Sequence, residues 1–143
     1  MPWSNCYAPE FFFDSNVLSV VRGVMDDKVV ADQWGCDVPL AGSCFQQFHA
    51  DYQRPLFAEQ PDLKLPHYML TMSFGLVPIT AENGAVEIVP CTHRMARNEA
   101  LQQIASRILT PRIVPLEIGD ILLRHPWALH KVRPTILGPL GHW

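Results

Sequence analysis

The chain has 143 residues, 48% of them apolar and 17% charged, with a formal charge of −3 and a pI near 6.0. That length fits one domain with a real core, and the balance excludes a disordered chain. The acidic charge gives no electrostatic reason to expect nucleic acid or an anionic membrane as a partner.

No apolar run approaches the roughly 20 residues of a spanning helix. The N-terminus lacks a basic stretch followed by an apolar one, so no signal peptide is expected. The expectation is a soluble, cytoplasmic protein, with its oligomeric state open. Cys6, Cys36, Cys44 and Cys91 form no C-x-x-C pair and read as buried or free thiols. Thirteen prolines favour many turns and short elements, which suits an all-β shell better than a helical bundle.

In chain order, residues 1–13 read as an irregular entry anchored by Phe11-Phe12-Phe13. Asp14 or Ser15 can cap a helix over 16–25, with Val17, Val20, Val21 and Val24 on one face. A strand can begin at 29–32. Residues 42–51 read as a strand on which Phe45, Gln47, His49 and Asp51 share a face. Residues 52–66, with Pro55, Pro61 and Pro66, read as a loop, and 68–77 as a second strand. Glu82-Asn83-Gly84 is a tight turn before a strand over 85–89. A short helix fits 98–107, with Glu99, Gln102 and Gln103 on its polar side. Strands over 113–116 and 121–123 bracket a Gly119-Asp120 turn, and a short irregular stretch leads to His130. These elements predict a mainly β domain, with short helices, that curls into a double-stranded barrel.

The chemistry concentrates in His49-Ala50-Asp51. Positions i and i+2 of an extended chain project together, so imidazole and carboxylate meet while Ala50 points away. A distant His, with His130 the best candidate, would complete the two-His-one-carboxylate set that leaves open positions on non-haem Fe(II). A surface His beside a solvated Asp is the plain alternative.

Three segments in order carry a family resemblance. They are His49-x-Asp51, then Glu82-Asn83-Gly84-Ala85-Val86-Glu87-Ile88-Val89-Pro90-Cys91-Thr92-His93, then Gly119-Asp120-Ile121-Leu122-Leu123 leading to His130. Together they resemble the phytanoyl-CoA dioxygenase family, whose second stretch reads E-N-G-A-L-x-x-x-P-G-S-H. The resemblance spans about residues 42–131. It implies a cupin-like double-stranded β-helix and Fe(II) on His49, Asp51 and His130. It also implies 2-oxoglutarate and O2 as cosubstrates, and hydroxylation of a small organic substrate with succinate and CO2 as coproducts.

The resemblance favours His130 over His125 as the distal ligand and makes His93 structural. His67 and His142 read as solvated. Gln47, facing with the metal pair, is a candidate for the cosubstrate or a supporting hydrogen bond. Tyr52 and Trp127 could line a pocket, with core packing the safer assignment.

Two departures stand out. The chain starts late for the family and reads as a truncated member. The family also places an Arg about eleven residues after the distal His to grip 2-oxoglutarate. Here that position is Gly141. Residues 132–143 lack the usual G-x-P-N run and read as an out-of-frame tail. Arg133 is a poor substitute, three residues after His130. A non-catalytic fragment or pseudoenzyme of the same fold, or a cupin-like protein using another metal, are the alternative readings.

Overall fold

The computed structural model describes residues 14–52 and 67–135, and the expectations for 1–13, 53–66, Cys6 and His142 lie outside them. The chain divides into two compact units, Met1–Gly35 with Lys64–Met69, and Cys36–Leu63 with Leu70–Trp143.

The first unit holds helix α1, Ser15–Val24. Asp14 caps it, its Oδ1 accepting from the Asn16 and Val17 amides at 2.9 and 3.1 Å, which satisfies two of the orphan donors of the first turn. The expected valine face is only partly covered. Val20 and Val24 stay exposed, and none of the helix's residues is fully buried. The strand expected at 29–32 does not form; that segment has no regular structure.

The second unit is built from two small antiparallel sheets. Strand β1, Thr71–Phe74, pairs with β4, Ile121–Arg124, setting Thr71 opposite Arg124. Strand β2, Val86–Ile88, lies between β3, Arg112–Val114, and β5, His130–Val132. In that sheet Ile88 is opposite both Arg112 and His130. The Gly119-Asp120 turn is present, with Gly119 at φ 97° and the Glu117 amide donating to Asp120 Oδ2 at 2.9 Å. It does not close a hairpin, however. It carries the chain from β3 in one sheet to β4 in the other.

The Asn83-Gly84 turn has a specific physical cause. Asn83 Oδ1 accepts from the Thr80 amide at 2.5 Å, and its Nδ2 donates to the Pro78 carbonyl at 2.8 Å. Gly84 sits at φ 108°, and a Cβ there would come within 2.8 Å of Pro39 Cγ. Both the conformation and the close approach call for glycine.

Two segments depart from expectation in kind. Residues 42–51 form no regular strand; an isolated bridge at His49, another at the adjoining Ala41, and single hydrogen bonds such as that from Asp51 to Pro126 tie them to the rest. Phe45 and Phe48 would face opposite ways in a regular strand, yet Lys131 Nζ lies 5.3 Å from one ring and 4.5 Å from the other. The stretch before His130 also ends in order, because His130 opens β5.

Helix α2, Arg97–Ala105, covers the core. Val89, Ala100 and Leu129 are buried together, with Phe48, Ala50, Leu101 and Ile104 packed around them. Glu99 and Gln103 pair on the helix's outer side at 3.1 Å, one turn apart. The helix ends in a Schellman pattern. The Arg107 amide donates to Ile104 and the Ile108 amide to Gln103, with Arg107 at φ 59° where glycine is usual.

Thr92, 2% exposed, ties the motif block to the ligand-bearing segment. Its hydroxyl donates to the Val89 carbonyl at 2.7 Å and accepts from the Leu129 amide at 2.8 Å. Thr92→Val keeps the shape but strands a buried amide and a carbonyl. It is expected to destabilise the fold by about 1–3 kcal/mol in chemical denaturation, with Thr92→Ser close to wild type.

Candidate metal centre

His49, Asp51 and His130 converge, each offering one ligand atom, all within 4.8 Å of one another. The convergence starts in the backbone. The His49 amide donates to the His130 carbonyl at 2.9 Å, and the His130 amide donates back at 2.8 Å. This reciprocal pair sets the two rings 4.5 Å apart between centroids. Two residues on, the Asp51 amide donates to the Pro126 carbonyl at 3.0 Å, fixing the carboxylate beside them.

Each imidazole is oriented by a carbonyl two residues before it. His49 Nδ1 lies 2.9 Å from the Gln47 oxygen, and His130 Nδ1 lies 2.9 Å from the Ala128 oxygen. A carbonyl can only accept, so an Nδ1 proton on each ring satisfies it and leaves Nε2 as the nitrogen available to an ion; Arg124 Nη1 also lies 3.5 Å from His130 Nδ1. His130 Nε2 stands 3.2 Å from Asp51 Oδ1. Adjacent donors on an octahedral ion with bonds of about 2.1 Å lie roughly 3 Å apart, so this pair already has ligand spacing. Two imidazoles and a carboxylate are the donor set of the facial triad. The residues fit a divalent cation.

Asp51 is the electrostatic hub. Partial burial raises its proton affinity. Hydrogen bonds from His130 and Arg124 and their positive charges outweigh that effect and hold the carboxyl well below the usual carboxylate range. Arg124 Nη1 lies 2.7 Å from Oδ2 and Nη2 lies 3.3 Å from Oδ1, while Thr71 Oγ1 donates to Oδ2 at 3.1 Å. Neither Arg124 nor Thr71 stood out in the sequence. The available signal was a single Arg ending the apolar run Ile121-Leu122-Leu123, six residues before His130.

The other candidates are not among the three converging donors. His125 stacks on His93, centroids 4.8 Å apart, and on Trp127 at 5.3 Å. Tyr52 and Trp127, 5.4 Å apart, border a cavity of about 180 Å³ with Ala50, Thr92, His93 and Leu129. Ala50 and Leu129 alternate with the triad residues along their segments, so this cavity lies behind the ligand-bearing backbone. The Gln47 side chain is exposed, and it is Gln46 whose Oε1 accepts from the Val132 amide at 3.0 Å. Arg133 donates to the Ala81 carbonyl and reaches Glu87, so its guanidinium is engaged away from the triad. Gly141 lies outside the described residues.

The fold is mainly β and cupin-like, and it brings two histidines and an aspartate together in a group that could hold a metal ion. Comparison with known families agrees. The sequence profile of the phytanoyl-CoA dioxygenase family matches residues 8–135, and the chain belongs to that family. The match runs past Val132, whose amide, like those of Arg133 and Thr135, is hydrogen-bonded within the fold.

Among solved structures, the fold is similar to that of the non-heme alpha ketoglutarate dependent carbocyclase SnoK from nogalamycin biosynthesis. The TM-score is 0.52 at 18% identity, covering 71% of this chain. The chain spans 43% of the length of that enzyme. No curated protein sequence matches. Among the described residues, no helix is long and apolar enough to cross a membrane.

The lowered proton affinity of Asp51 has a definite sign in stability. A carboxylate with a depressed folded pKa stabilises the fold above its ordinary value of 3.8, and that contribution is lost as pH falls through the folded value. In chelator, wild-type melting temperature is expected to fall more steeply below pH 3.8 than that of Asp51→Asn, as followed by circular dichroism.

Proposed function

We propose that the chain forms the metal-binding core of an Fe(II)/2-oxoglutarate-dependent dioxygenase that hydroxylates a small organic substrate, releasing succinate and CO2. The observation that carries this reading is the triad itself, three donor atoms within 4.8 Å, with each imidazole Nδ1 2.9 Å from a backbone carbonyl. Family membership supplies the reaction class.

His49, Asp51 and His130 would hold the iron, and bound iron would supply oxygen activation with 2-oxoglutarate as reductant. The chain's own part is orientation. The Gln47 and Ala128 carbonyls keep each Nδ1 protonated, so neither ring can swing its ligand nitrogen away without breaking a 2.9 Å bond. Asp51, held ionised, contributes one negative charge at any physiological pH. Three protein ligands leave the remaining positions for an oxo acid and O2. We assign the exposed Gln47 side chain, two residues before His49, to the cosubstrate.

A second reading is favoured by one observation. The position eleven residues after His130, where the family is expected to carry its cosubstrate Arg, is Gly141. A chain that binds metal but not 2-oxoglutarate would be a pseudoenzyme of the same fold. Partners follow the first reading: a small-molecule substrate, the acidic net charge giving no electrostatic reason to expect nucleic acid or an anionic membrane.

Anaerobic Fe(II) and 2-oxoglutarate are expected to give the weak visible charge-transfer band of the chelate, and air is expected to convert 2-oxoglutarate to succinate. His130→Ala should show neither. Metal binding without the band supports the pseudoenzyme, and failure of the wild-type chain to bind any divalent ion overturns both readings.

A further inference from the structure

We propose that Arg124 is a positioning residue that, with Thr71, dictates which oxygen of Asp51 meets the metal and keeps that ligand monodentate. The inference rests on the metal-site reading above and concerns this chain's own residues.

The two carboxylate oxygens are treated unequally. Oδ2 takes two donors, Arg124 Nη1 at 2.7 Å and Thr71 Oγ1 at 3.1 Å. Oδ1 has only the longer Arg124 Nη2 contact at 3.3 Å and faces His130 Nε2 at 3.2 Å. Oδ2 is therefore the more heavily occupied oxygen, although Arg124 Nη1 also lies 3.5 Å from His130 Nδ1, and Oδ1, beside His130 Nε2, is the oxygen presented to a cation. Arg124 and Thr71 are directly cross-strand on β4 and β1, so one sheet clamps the carboxylate that completes the other sheet's site.

The clamp matters because an Asp carboxylate turns about a broad, roughly two-fold torsion. Unclamped, it can rotate and chelate through both oxygens. A bidentate Asp would fill one of the positions that a chelating oxo acid and O2 need. A planar fork on two oxygens resists that rotation where a single-point ammonium would not. The Arg124 side chain is 9% exposed, and its Nε is buried without a hydrogen-bond partner among the described residues. Burying a cation with an idle donor is costly for the fold alone, which favours a role at the site.

The sign of the effect separates positioning from bulk electrostatics. A guanidinium beside a dication repels it, so if charge alone mattered, Arg124→Met would bind metal more tightly. If Arg124 positions Asp51, Arg124→Met weakens binding. Co(II) titrations of the full chain read both the affinity and, through the intensity of the visible d–d bands, the coordination number.

Arg124→Met is expected to lose about 10–100-fold in Co(II) affinity with altered band intensities. Arg124→Lys, keeping charge without the fork, should resemble Met more than wild type, and Thr71→Val should show a smaller loss. Unchanged or tighter Co(II) binding with wild-type bands, in variants whose metal-free circular dichroism is intact, overturns the proposal. If Arg124→Met does not fold, Arg124→Lys and Thr71→Val decide the question by the same criteria. Wild-type chain that binds no Co(II) would instead sink the metal-site reading itself.

Discussion

The site depends on one reciprocal pair of backbone hydrogen bonds, between His49 and His130. These residues lie some eighty positions apart, and closing such a loop costs on the order of 4 kcal/mol in chain entropy. Two hydrogen bonds contribute about 2 kcal/mol net, which does not cover it. The bridge survives because neighbours share the load. β2 and β5 pair alongside it, the Val89 amide donates to Leu129 at 2.8 Å, and the Asp51 amide reaches Pro126. The rings are thus brought together by the backbone, and no metal is needed to gather them.

Charge is arranged in the same economical way. Partial burial penalises the Asp51 anion and raises its proton affinity. Hydrogen bonds and charge from His130 and from Arg124, contributed by the other sheet, outweigh that penalty and hold the carboxyl ionised. Arg124 also couples the two sheets. β1 and β4 touch the ligand set through Thr71 and Arg124, while β5 supplies His130 itself. A site straddling two sheets in this manner records their relative position in one carboxylate.

Much of this was legible in the residues, for reasons that differ by element. His49 and Asp51 meet as alternation predicts even though 42–51 is no regular strand, since i, i+2 projection needs only locally extended backbone. Longer-range alternation failed in that same segment, where Phe45 and Phe48 share Lys131 and Gln46, not Gln47, caps β5. The Asn83-Gly84 turn and the α1 cap are local chemistry and were correctly anticipated. The Gly119-Asp120 turn was found, but not its role. Whether flanking strands pair with each other or with distant partners is a tertiary decision that turn residues do not encode. Arg124 escaped notice for the same reason. Its partner is 73 positions away, and an Arg closing an apolar strand looks like a solvated end until Asp51 is placed beside it.

Burial and function occupy one stretch of chain. Pro126, Trp127, Ala128, Leu129 and His130 are all buried, the longest such run among the described residues. Along it the side chains divide, Leu129 packing with Val89 and Ala100 while His130 faces the triad. The core under Leu129 therefore anchors the backbone that aims His130. Thr92 links that backbone to the Asn83-Gly84-Ala85 block through one buried hydroxyl. This gives the block a physical reason to accompany the ligands in sequence. Its far end holds Leu129 in register, and one residue of slip would turn His130 away from Asp51.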